Sequence, residues 1–155
     1  MRIQFFLNNE SVETNVPPHL RLSALLDQLD VPSSYLSCHS GACGKCLILL
    51  DGHLIYSCLL TVFEIRHHHI TTITRWLETE ISRQITMAQS ILDIGLCPHC
   101  KHARYLSLIH FLDRKGRKVS DIKEYLSLVN CSCTSNLQLT KLFQFMDKVR
   151  ERYER

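Results

Sequence analysis

The eight cysteines constrain this chain more than any other feature, because they fall as two quartets on either side of its middle. Cys38, Cys43 and Cys46 lie in "CHSGACGKC", and Cys58 follows in "YSC". Cys97 and Cys100 lie in "LCPHC", and Cys131 and Cys133 in "NCSCTSN". With 155 residues, there is room for one ordinary domain or two small ones, and small domains often need a staple beyond their apolar core. A hydrophobic content of 45% with 21% charged residues is that of a folded globular chain. The N-terminal "MRIQFFLNNE" turns polar before it can form the apolar core of a signal peptide, and no run approaches the ~18 apolar residues of a membrane span. A cytoplasmic location is therefore expected. In a reducing compartment eight thiols point to metal binding or redox chemistry rather than to a disulfide framework.

The hydrophobic periods change near the middle as well. Ile3, Phe5 and Leu7, the turn "NNE", and then Val12, Thr14 and Val16 predict a β-hairpin. Leu22, Leu25, Leu26 and Leu29 follow helical spacing, which Pro32 stops. "CLILL" and "HLIYS" flank Asp51-Gly52, a strong signal for a tight turn between strands, and "HITTI" at 69–73 supplies one more strand. Such an order of elements is compatible with a β-grasp unit. After residue 75, four helical patterns follow. The first carries Ile81, Ile85, Ala88 and Leu92 and stops at Gly95. The second carries Tyr105, Leu108, Ile109 and Leu112 and closes at "RKGRK". Ser120 is the expected N-cap for the third, with Ile122, Leu126 and Val129, and Leu139, Leu142, Phe143, Met146 and Val149 mark the fourth. The expected class is α+β: an N-terminal β-grasp domain over 1–76, then a C-terminal four-helix bundle over 77–155.

Cys38, Cys43 and Cys46 are spaced C-x4-C-x2-C, the spacing of plant-type [2Fe–2S] ferredoxins. Four thiolates must converge on a compact anionic core, and the wrapping loop must bring backbone N–H groups close to sulfur. Gly41 and Gly44 permit that approach, and Cys58 can reach back as the fourth ligand. Zinc sites usually pair their ligands in two short knuckles, unlike this single long loop. "LCPHC" taken alone could be a dithiol that exchanges disulfides through a reactive Cys97. Such an enzyme needs a strand entering the motif and a proline downstream; here a helical pattern precedes it and no proline follows Pro98. Cys131 and Cys133 complete a four-thiolate set instead, suited to a second [2Fe–2S] cluster, with zinc as the rival metal.

The two quartets and their setting resemble the iron–sulfur subunit, or N-terminal domain, of the molybdenum hydroxylases, the xanthine dehydrogenase and aldehyde oxidoreductase family. "CHSGACGKC", "LLDG" and "SC" carry the likeness in the first half; C-x2-C, about thirty residues and C-x-C, with Gln84 and Ala88, carry it in the second. The resemblance implies an electron carrier with two [2Fe–2S] clusters, a molybdopterin-binding large subunit as partner, and FAD or another carrier as acceptor. By it, Cys38, Cys43, Cys46 and Cys58 hold the more exposed cluster and Cys97, Cys100, Cys131 and Cys133 the one nearer the pterin. Several positions depart from the family's habit: Leu96 replaces a Gln, Pro98 a Gly and Ser132 an Arg, and "KHA" at 101–103 replaces "TPG". The surface offered to a pterin-bearing partner is thus unusual.

Other features are weaker. Adjacent strand residues point to opposite faces, so His67, His68 and His69 do not converge on one ion. His39 and His99 lie within the cluster loops, where they are expected to donate hydrogen bonds to sulfur rather than to act as ligands, and Trp76 packs at the joint. "RKGRK" at 114–118 is expected to be a solvated turn; with a net charge of only +3, no nucleic-acid partner is implied. The alternative to electron transfer is a zinc-stabilised or redox-regulatory binding module.

Overall fold

The computed structural model describes residues 1–31 and 37–154. Strand β1 (Arg2–Leu7) turns through Asn8 and Asn9, both at positive φ, into antiparallel β2 (Glu10–Asn15), with Phe5 opposite Val12. Asparagine visits that backbone region at little cost, which is why "NNE" works without glycine. Helix α1 (Leu22–Gln28) buries Leu22, Leu25 and Leu26 in one core with Ile3 and Phe5 of β1. Its expected stop at Pro32 lies outside the described residues.

Asp51 and Gly52, also at positive φ, join β3 (Leu47–Leu50) to β4 (His53–Tyr56) in the predicted tight turn. Strand β5 (His69–Thr71) is shorter than expected, because Ile73 already begins a 3-10 turn. It lies parallel to β1 and antiparallel to β3, giving a five-stranded sheet in the order β2-β1-β5-β3-β4.

The hairpin of β3 and β4 has no solvent face. Alternate strand residues point to opposite sides, and here both sides are covered. Ile48, Leu50 and Ile55 pack into the core over α1, while Leu47, Leu49, Leu54 and Tyr56 pack into the core of the helical half. That second core is built from α2 (Glu80–Leu92), α3 (Lys101–Asp113), α4 (Ile122–Ser127) and α5 (Asn136–Glu154). Trp76 is half-buried against it.

Three local expectations change. Helix α2 ends not at Gly95 but at Asp93, which takes the left-handed conformation itself at φ 53°. Ser120 caps nothing: it sits inside a 3-10 turn over Val119–Asp121, opened by the Lys118 amide donating to Asp121, and α4 continues from that turn. The basic turn is not wholly solvated either, since Arg117 folds back onto Asp147 at 2.5 Å with both side chains 12% exposed. No helix among the described residues is long and apolar enough to cross a membrane.

His110 ties the two halves together. The carbonyl of Gly52 can only accept, so the His110 Nε2 at 3.2 Å carries the proton, and Nδ1 accepts from the Tyr125 hydroxyl at 3.0 Å. Burial pushes this imidazole below its ordinary pKa, so below about pH 6.5 the unfolded chain binds the proton more readily than the native one. Thermal stability should therefore fall as pH drops from about 6.5 toward the depressed native value, then level off. In His110→Gln, that segment of a melting-temperature profile should be flat; an unchanged slope would show that another group is responsible.

Candidate metal centres

The first quartet is arranged round a loop of left-handed backbone, with His39, Gly41 and Gly44 at φ 56°, 78° and 69°. This winding turns amides inward. Cys38 N–H donates to the Cys43 Sγ at 3.2 Å, Cys43 N–H to the Cys38 Sγ at 3.3 Å, and Lys45 N–H to the Cys43 Sγ at 3.4 Å. The Ser40 hydroxyl and backbone, with Cys43, hold the pKa of the exposed Cys38 thiol down to about 5. Cys46 and Cys58 are buried beneath it, and burial drives the Cys46 thiol up to about 11. The amide of Ser57 donates to the Cys46 carbonyl at 3.0 Å, which fastens the turn bearing Cys58 to the loop. Cys38 and Cys43 are thus linked by reciprocal amide-to-sulfur hydrogen bonds, whereas among the described residues no three of the four first-quartet thiols close into one group as the second quartet does. Cys58 lies in a 3-10 turn just past β4 rather than at the strand's end.

The second quartet is tighter. Cys97 follows α2, Cys100 precedes the first residue of α3, and Cys131 and Cys133 occupy the turn between α4 and α5. All four sulfur atoms lie within 4.8 Å of one another. Cys97 is 3.6 Å from both Cys100 and Cys131, and Cys100 is 3.3 Å from Cys133. These are free thiols, far beyond the ~2.05 Å of a disulfide. Burial raises the Cys100 thiol well above its usual range. Burial also opposes ionisation of Cys133, but hydrogen bonding, chiefly with the Cys97 backbone, outweighs it and brings that thiol down to about 6. Thr134 in turn donates to the Gly95 carbonyl, clipping one ligand turn to the other.

The two ligand loops touch. Asn130 N–H donates to the Cys43 carbonyl at 2.9 Å, one residue before Cys131, and the Tyr56 hydroxyl donates to the Leu128 carbonyl at 2.8 Å. Burial, then the nearby Cys46, Cys43 and Cys58 thiols, raise the Tyr56 pKa and keep that donor protonated. Gly44 lies hard against the same segment: a Cβ built on it would meet the Leu128 oxygen at 1.8 Å.

The histidines stand apart from sulfur. His39 Nδ1 faces the hydroxyls of Ser23 and Ser37 at 3.4 and 3.5 Å, not a thiol, and His99 is exposed. His68 pairs with Asp51 at 2.5 Å. Sequence reasoning missed Arg104, Tyr56, Asn130 and Thr134. Only Arg104 left a trace, as a charge one helical turn after Cys100 in an otherwise apolar run.

A soft four-sulfur donor set suits iron–sulfur clusters or zinc, and the inward amides of the first loop are what an anionic core requires. No protein-family model matches the chain. Over 132 residues it is 30% identical to a probable xanthine dehydrogenase subunit of Bacillus subtilis (strain 168), covering 83% of this chain and 75% of that one. In fold it is similar to quinoline 2-oxidoreductase from Pseudomonas putida 86, with TM-score 0.80 and 20% identity over 98% of this chain and 96% of that one. It is also similar to the aldehyde oxidoreductase from Desulfovibrio desulfuricans, with TM-score 0.83 and 19% identity, covering 97% of this chain but 17% of that one. The chain belongs to the iron–sulfur subunits of the molybdenum hydroxylase family. It is accordingly a subunit of an oxidoreductase complex, with electron transfer as its general role.

Proposed function

We propose that this chain carries two [2Fe–2S] clusters and passes electrons from a molybdopterin-bearing large subunit to FAD or another acceptor. Cys38, Cys43, Cys46 and Cys58 would hold one cluster, and Cys97, Cys100, Cys131 and Cys133 the other. Residues 1–76 form the β-grasp ferredoxin-like unit and 77–155 the four-helix unit, both cytoplasmic. The observation that carries this reading is the convergence of four free thiols from two separate turns in the helical half. When bound, such a cluster exchanges single electrons without making or breaking substrate bonds.

The chain's own work is to hold and insulate. Buried Cys46, Cys58 and Cys100 keep water from the inner sides of the two quartets, while Cys38 and Cys133 reach the surface where a partner can approach. Inward amides of the first loop offset negative charge on its thiolates. The Asn130–Cys43 hydrogen bond fixes how closely the quartets approach, because it leaves a short bonded route from Cys43 to Cys131. Substrate chemistry belongs to the partner.

Metal analysis of anaerobically purified protein is expected to give about four iron atoms per chain and two distinct paramagnetic signals on reduction. Stoichiometric zinc with no such signal would make the chain a zinc-stabilised binding module instead.

A further inference from the structure

Arg104 is 4% exposed. It lies one turn into α3 from Cys100, whose carbonyl accepts its N–H at 2.9 Å. Its guanidinium donates to the carbonyls of Leu126 at 2.8 Å and Val129 at 2.7 Å. These carbonyls lie where α4 ends and the chain runs toward Cys131, so the fork closes the C-terminus of α4 and holds the ligand turn against α3. That role needs donors, not a charge. Among the described residues, no carboxylate pairs with Arg104, and a buried cation served only by neutral carbonyls is costly. Burial lowers the Arg104 pKa, and the groups that act against this, once ionised as metal ligands are, are Cys100, Cys131 and Cys133.

We propose that Arg104 is a positioning residue whose fixed positive charge raises the reduction potential of the centre held by Cys97, Cys100, Cys131 and Cys133. This rests on the two-cluster reading above. Each electron accepted there adds negative charge near a buried guanidinium, which cannot lose its proton and so favours the reduced form. The first quartet's thiols take hydrogen bonds from neutral amides and the Ser40 hydroxyl, and among the described residues Arg104 is the only buried Lys or Arg. Arg104 therefore sets the two centres apart in potential as well as closing a turn.

The test is a mediated EPR redox titration of the full chain, comparing wild type with Arg104→Lys, which keeps the charge and loses the fork, and Arg104→Gln, which keeps donors and loses the charge. The second centre is the signal that Cys131→Ser removes; the other signal is the internal control. In Arg104→Gln the second centre should become at least tenfold harder to reduce, about 59 mV lower for a one-electron couple, with the control unmoved. Arg104→Lys should stay near wild type. A second signal at wild-type potential in Arg104→Gln, or an equal fall in Arg104→Lys, overturns the proposal while leaving the two-cluster reading intact. Should Arg104→Gln fail to load, Arg104→Lys decides alone: a wild-type potential supports the charge, and a tenfold fall refutes it. If wild type itself gives no reducible signal, the two-cluster reading fails, and this inference with it.

Discussion

Cys131→Ser should cut the iron content from about four atoms per chain to about two, and one of two paramagnetic signals should vanish while the other persists. The expectation follows from the division of the thiols. Cys131 contacts Cys97 at 3.6 Å in a set whose members all come from the helical half, and none of the first quartet belongs to it. Serine is a hard, weakly acidic donor that does not replace thiolate on such a centre. Metal loss here should also loosen the helices, because the quartet joins the end of α2, the start of α3 and the α4–α5 turn at one point. Protection of α3 and α5 amides against hydrogen exchange should drop, with β1 and β2 little changed. Retention of all the iron by Cys131→Ser would show that the quartet is not a ligand set.

The second large effect concerns the contact between the two loops. Gly44→Ala should lower stability by roughly 2–4 kcal/mol, combining overpacking with left-handed backbone strain. For a chain of this size that is roughly 5–15 °C in the melting temperature. Alanine there would put its Cβ 1.8 Å from the Leu128 oxygen, 2.9 Å from the Leu128 carbonyl carbon and 3.0 Å from the Val129 Cα. Those are backbone atoms and cannot swing aside. Relief requires the 128–130 segment to withdraw, which breaks the Asn130–Cys43 and Tyr56–Leu128 hydrogen bonds together. Gly52→Ala is the control: its φ of 84° is similarly left-handed, but nothing lies within 4 Å of the added methyl. Backbone strain alone should cost it about 1 kcal/mol. Equal melting temperatures for the two variants would mean that the loops are not pressed together in solution.

The fold was legible wherever its cause was local. Alternation at Ile3, Phe5 and Val12 gives the first hairpin, and the Asp51-Gly52 turn gives the second, because twist and left-handed backbone are settled within a few residues. Helical spacing found α2, α3 and α5, but their ends were harder to read. Asp93 takes the left-handed cap that Gly95 was expected to fill, and the Lys118–Asp121 turn displaces Ser120 as the opening of α4. Several residues can satisfy a helix end, and which one does depends on how the next element docks.

For the candidate site, the sequence by itself determined the inventory: eight thiols, their spacing, and glycines at two of the points where the first loop winds through left-handed backbone. These are properties of short stretches, which covalent geometry and steric exclusion decide locally. Only the tertiary structure decided which groups meet across long separations. It inserted β5 between β1 and β3, covered both faces of the β3–β4 hairpin, and pressed Gly44 onto Leu128. It also buried Arg104 one helical turn from Cys100 with, among the described residues, no carboxylate to answer it. Such contacts reflect the docking of whole faces, whose favourable burial is shared among many side chains, so no single residue announces them.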